Sequence, residues 1–89
     1  MVQAVYVSQG EIYSEELESV AEAIEFLKQD SEFAKRHPVG IYDPDNQSVV
    51  LPESSSTGIS DDAQLKKIQS HFDVEDLEVS AYFPYYQNQ

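Results

Sequence analysis

The sequence predicts a small α+β domain in which about four antiparallel strands carry two helices on one face. Strand-like alternation of apolar and polar residues and helix-like apolar periodicity support this prediction. Their order along the chain is strand, helix, strand, strand, helix, strand, which is the βαββαβ pattern of ferredoxin-like domains. Residues 1–84 form the predicted domain, and residues 85–89 a short C-terminal tail.

The first half of the chain predicts a strand followed by an amphipathic helix. Val2–Ser8 alternates as a strand does, residues 9–10 form a turn, and residues 11–13 are long enough only for a short hairpin arm. Ser14 is the expected N-cap of the helix, which has to end before Pro38. The apolar stripe of this helix follows at helical spacing: Leu17, Val20, Ala21, Ile24 and Leu27.

The second half predicts a β-hairpin, a second helix and a last strand. Strands at residues 39–42 and 48–51 are joined by Asp43-Pro44-Asp45-Asn46, with proline at the second position of a type I turn. Ser60 or the residue after it caps the second helix, and residues 77–83 alternate as the last strand. The second helix has a narrow apolar stripe: Leu65, Ile68 and Phe72.

The charge of the chain excludes several functions. Its 89 residues include 17 Asp and Glu against 5 Lys and Arg, which gives a net charge of −12, and there is no cysteine. We expect no direct binding to nucleic acid or to an anionic membrane, because both are bound through lysine and arginine.

The lack of cysteine excludes disulfide frameworks and thiol nucleophiles. Without a signal-peptide pattern or a long apolar run, a cytoplasmic protein is expected.

Two groups of acidic residues predict a surface that binds a basic protein. On the expected first helix, four glutamates share one polar sector: Glu15, Glu18, Glu22 and Glu25. A second group precedes and enters the last strand: Asp73, Glu75, Asp76 and Glu78. Carboxylates one helical turn apart are roughly commensurate with DNA phosphates, so such a surface suits an inhibitor or nucleic-acid mimic that occupies a DNA-binding cleft. The competing interpretation is a solvated face that keeps a small protein soluble.

Phe26 is placed on the polar side of the same predicted helix. A large aromatic residue between glutamates can anchor an interface, because aromatic anchors carry much of the binding energy of protein complexes. In the alternative, Phe26 packs against the chain near Phe33 and is buried on a second side of the helix.

Three tyrosines predict a different interface. If the apolar strand residues face the helices, then Tyr6, Tyr42 and Tyr82 point to the other face of the sheet. In a two-layer domain that face is open to water, and an aromatic patch there would form a homodimer or dock a larger assembly. The alternative is that tyrosine is simply a good strand former.

Signals for metal binding and catalysis are weak, so we expect a non-enzymatic protein without metal or cofactor. The residues from Asp43 onward resemble the opening of a calcium loop, but Ser48 stands where such a loop needs glycine. His37 and His71 belong to no spaced pair of ligands. A ligand-sized apolar pocket lined by either histidine would favour a small-molecule-binding or catalytic domain instead.

Overall fold

A computed structural model of the chain describes residues 1–33, 37–53 and 60–84, without the side chains of residues 29–33. These residues form five strands and two helices. In chain order the elements are β1 (Val2–Ser8), β2 (Glu11–Leu17), α1 (Val20–Phe33), β3 (His37–Asp43), β4 (Ser48–Pro52), α2 (Asp61–Phe72) and β5 (Glu78–Phe83). The predicted tail at residues 85–89 lies outside the described residues.

The described strands form one mixed sheet in the order β2-β1-β3-β4-β5. β1 pairs antiparallel with β2 and with β3, β3 pairs antiparallel with β4, and β4 pairs parallel with β5. The α+β class is therefore confirmed. The expected count of four strands is wrong, since the sheet has five, and the ferredoxin-like order is not confirmed. The additional strand is β2, of which the sequence predicted only a three-residue arm.

The two helices cover opposite faces of the sheet rather than the same face. Ala4 shares a core cluster with Leu27 of α1, whereas its neighbour Val5 shares a cluster with Ile68 of α2. Both strand residues are fully buried. Because successive strand residues point to opposite faces, β1 is covered on both sides. The fold is thus three layers, with the sheet between α1 and α2.

The first helix begins later than predicted because the residues before it extend the hairpin. Ser14, the predicted N-cap, lies in β2 opposite Val5. Ser19 caps the helix instead, and its Oγ accepts the backbone N–H of Glu22 at 3.2 Å. The carboxylate of Glu22 accepts the N–H of Glu18 at 3.3 Å. Ser19-x-x-Glu22 is the sequence signal of a capping box, and it marks the start of α1.

The buried stripe of α1 also differs from the predicted one. Four members of the predicted stripe do pack against the core: Leu17, Val20, Ile24 and Leu27. Leu17, however, lies at the end of β2, and Ala21 is exposed while Ala23 is fully buried. Phe26, expected on the polar side, is half-buried and packs against the core. Because the ring of Phe26 faces the core, the buried side of α1 is centred on Ala23 and Leu27 and does not include Ala21.

The turn and the cap predicted in the second half are confirmed. Asp43 Oδ1 accepts the N–H of Asp45 at 3.1 Å, and Asp43 Oδ2 accepts from Asn46 Nδ2 at 2.8 Å. These bonds close the turn that joins the antiparallel strands β3 and β4. Ser60 is the N-cap of α2, and its Oγ accepts the N–H of Ala63 at 3.3 Å. Local side-chain signals were sufficient at both positions.

A bulge in β5 breaks the simple alternation predicted for the last strand. Val49 lies opposite Val79 but Val50 lies opposite Ala81, so Ser80 is the extra residue. The Ser80 hydroxyl donates to the Val49 carbonyl at 3.2 Å. A bulge of this kind shifts the facing of every later side chain by one position.

Gly40 brings β3 into close contact with α2, and its replacement is the first testable consequence of the fold. A Cβ at this position would lie 2.9 Å from Ile68 Cδ1 and from Leu51 Cδ2. We expect Gly40→Ala to lower the free energy of unfolding by about 1–3 kcal/mol, because overpacking displaces core side chains. Urea denaturation measures the loss. The double variant Gly40→Ala/Ile68→Val removes one of the two clashing methyl groups, so the loss should be smaller than the sum of the two single losses. Simple additivity would contradict the contact with Ile68.

Candidate functional site

Five exposed glutamates lie around α1 and on the α1 side of β2. They come from β2, from the link that follows it and from α1: Glu11, Glu15, Glu18, Glu22 and Glu25. Glu15 lies opposite Ala4, whose side chain packs beneath α1, so the two side chains share one side of the sheet. We call these five residues the α1-side acidic face.

The predicted arrangement of four glutamates along one helix is therefore wrong. Glu15 lies on β2 and Glu18 lies in the link, because the hairpin extends through residues that the sequence assigned to the helix. Glu22 and Glu25 are the members that α1 carries. The turn into α1 keeps the groups close, as shown by the 3.3 Å hydrogen bond from the Glu18 N–H to the Glu22 carboxylate. The acidic face is thus assembled by two elements and not by one.

A shallow depression gives this face an apolar floor. It has a volume of about 350 Å³ and is lined by Ala21, Glu22, Glu25 and Phe26. Its two carboxylates stand beside an exposed methyl group and a half-buried ring. Such a site suits a lysine or arginine side chain, because the aliphatic stem packs on apolar surface while the charged end pairs with carboxylates. The face of the phenyl ring would add a cation–π attraction.

A row of three aromatic rings connects this depression with the hairpin. The ring centroids of Phe26 and Tyr6 are 5.8 Å apart, and those of Tyr6 and Tyr13 are 5.6 Å apart in a stacked arrangement. Phe26 is half-buried, and its aromatic neighbour is Tyr6. The alternative in which Phe26 packs near Phe33 stays a prediction, because the side chain of Phe33 lies outside the described residues. Tyr13 is 42% exposed and forms the solvent end of the row.

Tyr13 and Glu11 form a hydrogen-bonded pair at the hairpin end of the acidic face. The Tyr13 hydroxyl donates to Glu11 Oε2 at 2.9 Å. This hydrogen bond, and then the negative charge of Glu11, raise the pKa of Tyr13 above its ordinary value. The shift extends the pH range over which the phenol donates to the carboxylate. Neither residue could be singled out from the sequence, because their proximity depends on the full length of β2.

The second acidic group lies between α2 and β5, and two of its members have backbone roles. Asp73 is the C-cap of α2 with a φ of 54°, and Asp76 has a φ of 58°. Short polar side chains tolerate this left-handed conformation better than most residues. Glu75 and Glu78 are exposed, in the connection and at the start of β5. The two acidic groups therefore lie on different elements of the fold.

The predicted tyrosine face is not formed. Tyr6 belongs to the core cluster beneath α1 and Tyr42 to the cluster beneath α2, with 8% and 7% of their surfaces exposed. Tyr82 is 51% exposed, and its hydroxyl donates to Asp61 Oδ2 at 2.6 Å, which raises the pKa of Tyr82. The reason is that Tyr6 and Tyr42 lie on opposite faces of the sheet, and each face is covered by one helix. Homodimerisation stays a prediction.

A second groove lies between the β1–β2 hairpin and α2. Its volume is about 430 Å³, and its lining combines apolar and polar side chains: Val7, Gly10, Ile12, Lys67, Ser70 and His71. His71 Nε2 lies 3.2 Å from Ser14 Oγ, across the gap between α2 and β2. The groove has the volume of a ligand site, and Lys67 gives it one positive charge. Its chemistry suits a small anion with an apolar body, whereas the depression on α1 suits a cation. Because His71 also lines the groove, the alternative of a small-molecule-binding domain stays a prediction.

Within residues 1–33, 37–53 and 60–84, no group of three or more His, Asp or Glu is placed to hold a metal ion. Across those ranges, no helix has the length and apolar character needed to cross a membrane. The expectation of a non-enzymatic protein without cofactor is not tested by these findings.

Comparisons of the chain with protein-family models, with curated proteins and with solved structures found no match. Its function therefore has to be inferred from the geometry and the charge of its own residues.

Proposed function

We propose that this chain is a non-enzymatic acidic interaction protein that binds a basic protein partner through a carboxylate surface. The observation that carries the proposal is the depression on α1, where Glu22 and Glu25 flank the apolar floor made by Ala21 and Phe26. A lysine or arginine of the partner would place its stem on this floor and its charge between the two carboxylates.

The charge of the whole chain supports the same partner. A net charge of −12 attracts a basic surface over a distance and orients its approach, which speeds association at low salt. Between Glu11 and Glu32 the sequence has eight acidic residues and one basic residue, Lys28. A basic protein that binds nucleic acid is the class of partner that fits, because its cationic cleft already accepts closely spaced negative charges. Occupation of that cleft would make this chain an inhibitor of the nucleic-acid mimic type.

The second acidic group is proposed as an additional contact. Asp73 and Asp76 have conformational reasons to be aspartate, so Glu75 and Glu78 are the members most available to a partner. Exposed charges of this kind add to the rate of association more than to the strength of the final complex. The depression on α1 therefore remains the centre of the proposed surface.

Capture of proteins from the native host on the immobilised chain, at low and at high salt, tests this function. We expect the wild type to retain a basic protein at low salt and to release it at high salt. The variant Glu22→Gln/Glu25→Gln should retain much less of it. Glutamine keeps the shape of the side chain, and at position 22 its amide oxygen can still accept the Glu18 N–H.

A matched control separates the site from the net charge. The variant Asp45→Asn/Asp62→Asn removes the same two charges at exposed positions, in the β3–β4 turn and on α2. It should capture the partner almost as well as the wild type. Equal losses in the two variants, or equal retention by the wild type at both salt concentrations, would contradict the proposal.

A further inference from the structure

The outer edge of β2 is a place where another extended chain can pair. In the order of the described strands β2 stands at one end of the sheet. Its register with β1 runs without a shift from Leu17 opposite Val2 to Glu11 opposite Ser8. A regular edge strand presents a row of N–H and C=O groups, and a peptide can add to such a row as a further strand.

The backbone of the other edge strand is interrupted, whereas the backbone of β2 is regular. β5 contains the bulge at Ser80 and is followed directly by Pro84. Bulges and proline are devices that prevent edge strands from pairing with other chains. The seven residues of β2 contain no proline and no glycine, and no register shift interrupts them.

The charges of β2 indicate which chain can occupy its edge. Glu11 and Glu15 point to the α1 side of the sheet, and Glu16 points to the α2 side. A second copy of β2 would bring glutamates close to glutamates, and like charges opposite each other destabilise a strand pair. A basic strand would instead place lysine or arginine opposite them. Tyr13, between Glu11 and Glu15 on the same side, offers exposed ring surface to the stems of those residues.

We propose that the basic partner binds as an extended segment that adds to the outer edge of β2, with lysine or arginine at alternate positions facing Glu11 and Glu15. This inference rests on the proposed function, because it describes how a partner of the α1-side acidic face is held. The row formed by Tyr13, Tyr6 and Phe26 joins this edge to the depression on α1. Backbone pairing would fix the register of the segment, and the carboxylates would select its charge.

Amide hydrogen exchange of the full chain, with and without a synthetic peptide, tests the inference. The probe is the end-blocked peptide Lys-Thr-Lys-Val-Lys-Thr-Lys, which matches β2 in length and carries lysine on one face. We expect the peptide to slow exchange about tenfold or more at alternate amides of β2, those that point away from β1. The amides on the outer edge of β5 are the internal control, and their exchange should not change.

A second peptide has the same sequence with every backbone nitrogen methylated, so it keeps the charge but has no backbone donor on either edge. It should leave β2 unprotected, and the variant Glu11→Gln/Glu15→Gln should bind the first peptide several-fold more weakly. Salt-sensitive binding without protection of β2, or equal binding of the two peptides, overturns the strand inference and leaves the proposed function standing. No binding of the first peptide at low salt also overturns the strand inference. The proposed function fails separately, if the capture experiment shows no dependence on Glu22 and Glu25.

Discussion

Ala23→Glu should unfold the protein, whereas Ala21→Glu should leave it folded. Ala23 is fully buried between α1 and the sheet, so a glutamate there would bury a charge without a partner. We expect the cost to exceed about 4 kcal/mol, which is most of the stability of a domain of this size. Ala21 is exposed on the same helix, two residues away, so the identical substitution costs little there.

The pair is a strict comparison because the two variants share net charge and helix propensity. Circular dichroism and urea denaturation distinguish their outcomes. If Ala21→Glu unfolded the chain and Ala23→Glu did not, the apolar stripe through Leu17 and Ala21 would be the buried one. The helix would then begin near Ser14, and β2 would not exist as a seven-residue strand.

Reversal of both charges at the depression, Glu22→Lys/Glu25→Lys, should weaken binding of the captured partner about 100-fold or more. The change replaces two attractions by two repulsions at the centre of the proposed surface, and 100-fold corresponds to about 2.8 kcal/mol. Lysine in the first turn of α1 also loses the cap and opposes the helix dipole, at about 0.3–1 kcal/mol of stability. Thermal denaturation has to show that the variant is folded, and calorimetric titration then measures its affinity.

The matched variant for this reversal is Glu75→Lys/Glu78→Lys in the second acidic group. Both variants change the net charge from −12 to −8, since each replaces two negative charges by two positive ones. We expect the second variant to lose several-fold less affinity than the first. Equal losses would mean that the partner senses only the total charge, and a larger loss in the second variant would move the centre of the interface to the connection between α2 and β5.

Local sequence signals predicted an element correctly where only one side-chain pattern was consistent with that stretch of the chain. The turn at Asp43-Pro44-Asp45-Asn46 and the cap at Ser60 are examples. Between residues 11 and 19 two patterns competed, because Ser14 followed by glutamates and Ser19-x-x-Glu22 both resemble a helix start. Pairing with all seven residues of β1 decided between them. That pairing is a tertiary contact, which local propensity cannot represent.

One feature of the sequence does indicate that the helices lie on opposite faces of the sheet, although strand alternation elsewhere favours a single covered face. Val49, Val50 and Leu51 are consecutive apolar residues, and all three are buried. An unbroken apolar run in a short strand is typical of burial on both faces. The same arrangement explains why Tyr6 and Tyr42 are buried, since each face of the sheet has its own helix.

The sequence predicted the residue types of the candidate site, but not which strands and helices carry them. Glu22, Glu25 and Phe26 were recognised from the sequence as neighbours on α1, and they line one depression. Glu11 and Tyr13 were missed, because only the complete β2 strand stacks Tyr13 on Tyr6 and places Glu11 within hydrogen-bonding distance of Tyr13. Binding of a partner at these residues remains a prediction.

The dependence of the partner's dissociation constant on salt tests the central claim most directly. It should be measured with the purified partner for the wild type, for Glu22→Gln/Glu25→Gln and for Asp45→Asn/Asp62→Asn. We predict that the dissociation constant of the wild type rises steeply with salt, that the first variant shows a weaker affinity and a shallower slope, and that the second keeps nearly the wild-type slope. A wild-type dissociation constant that stays the same from low to high salt, or one slope shared by all three proteins, would contradict the assignment of this carboxylate surface.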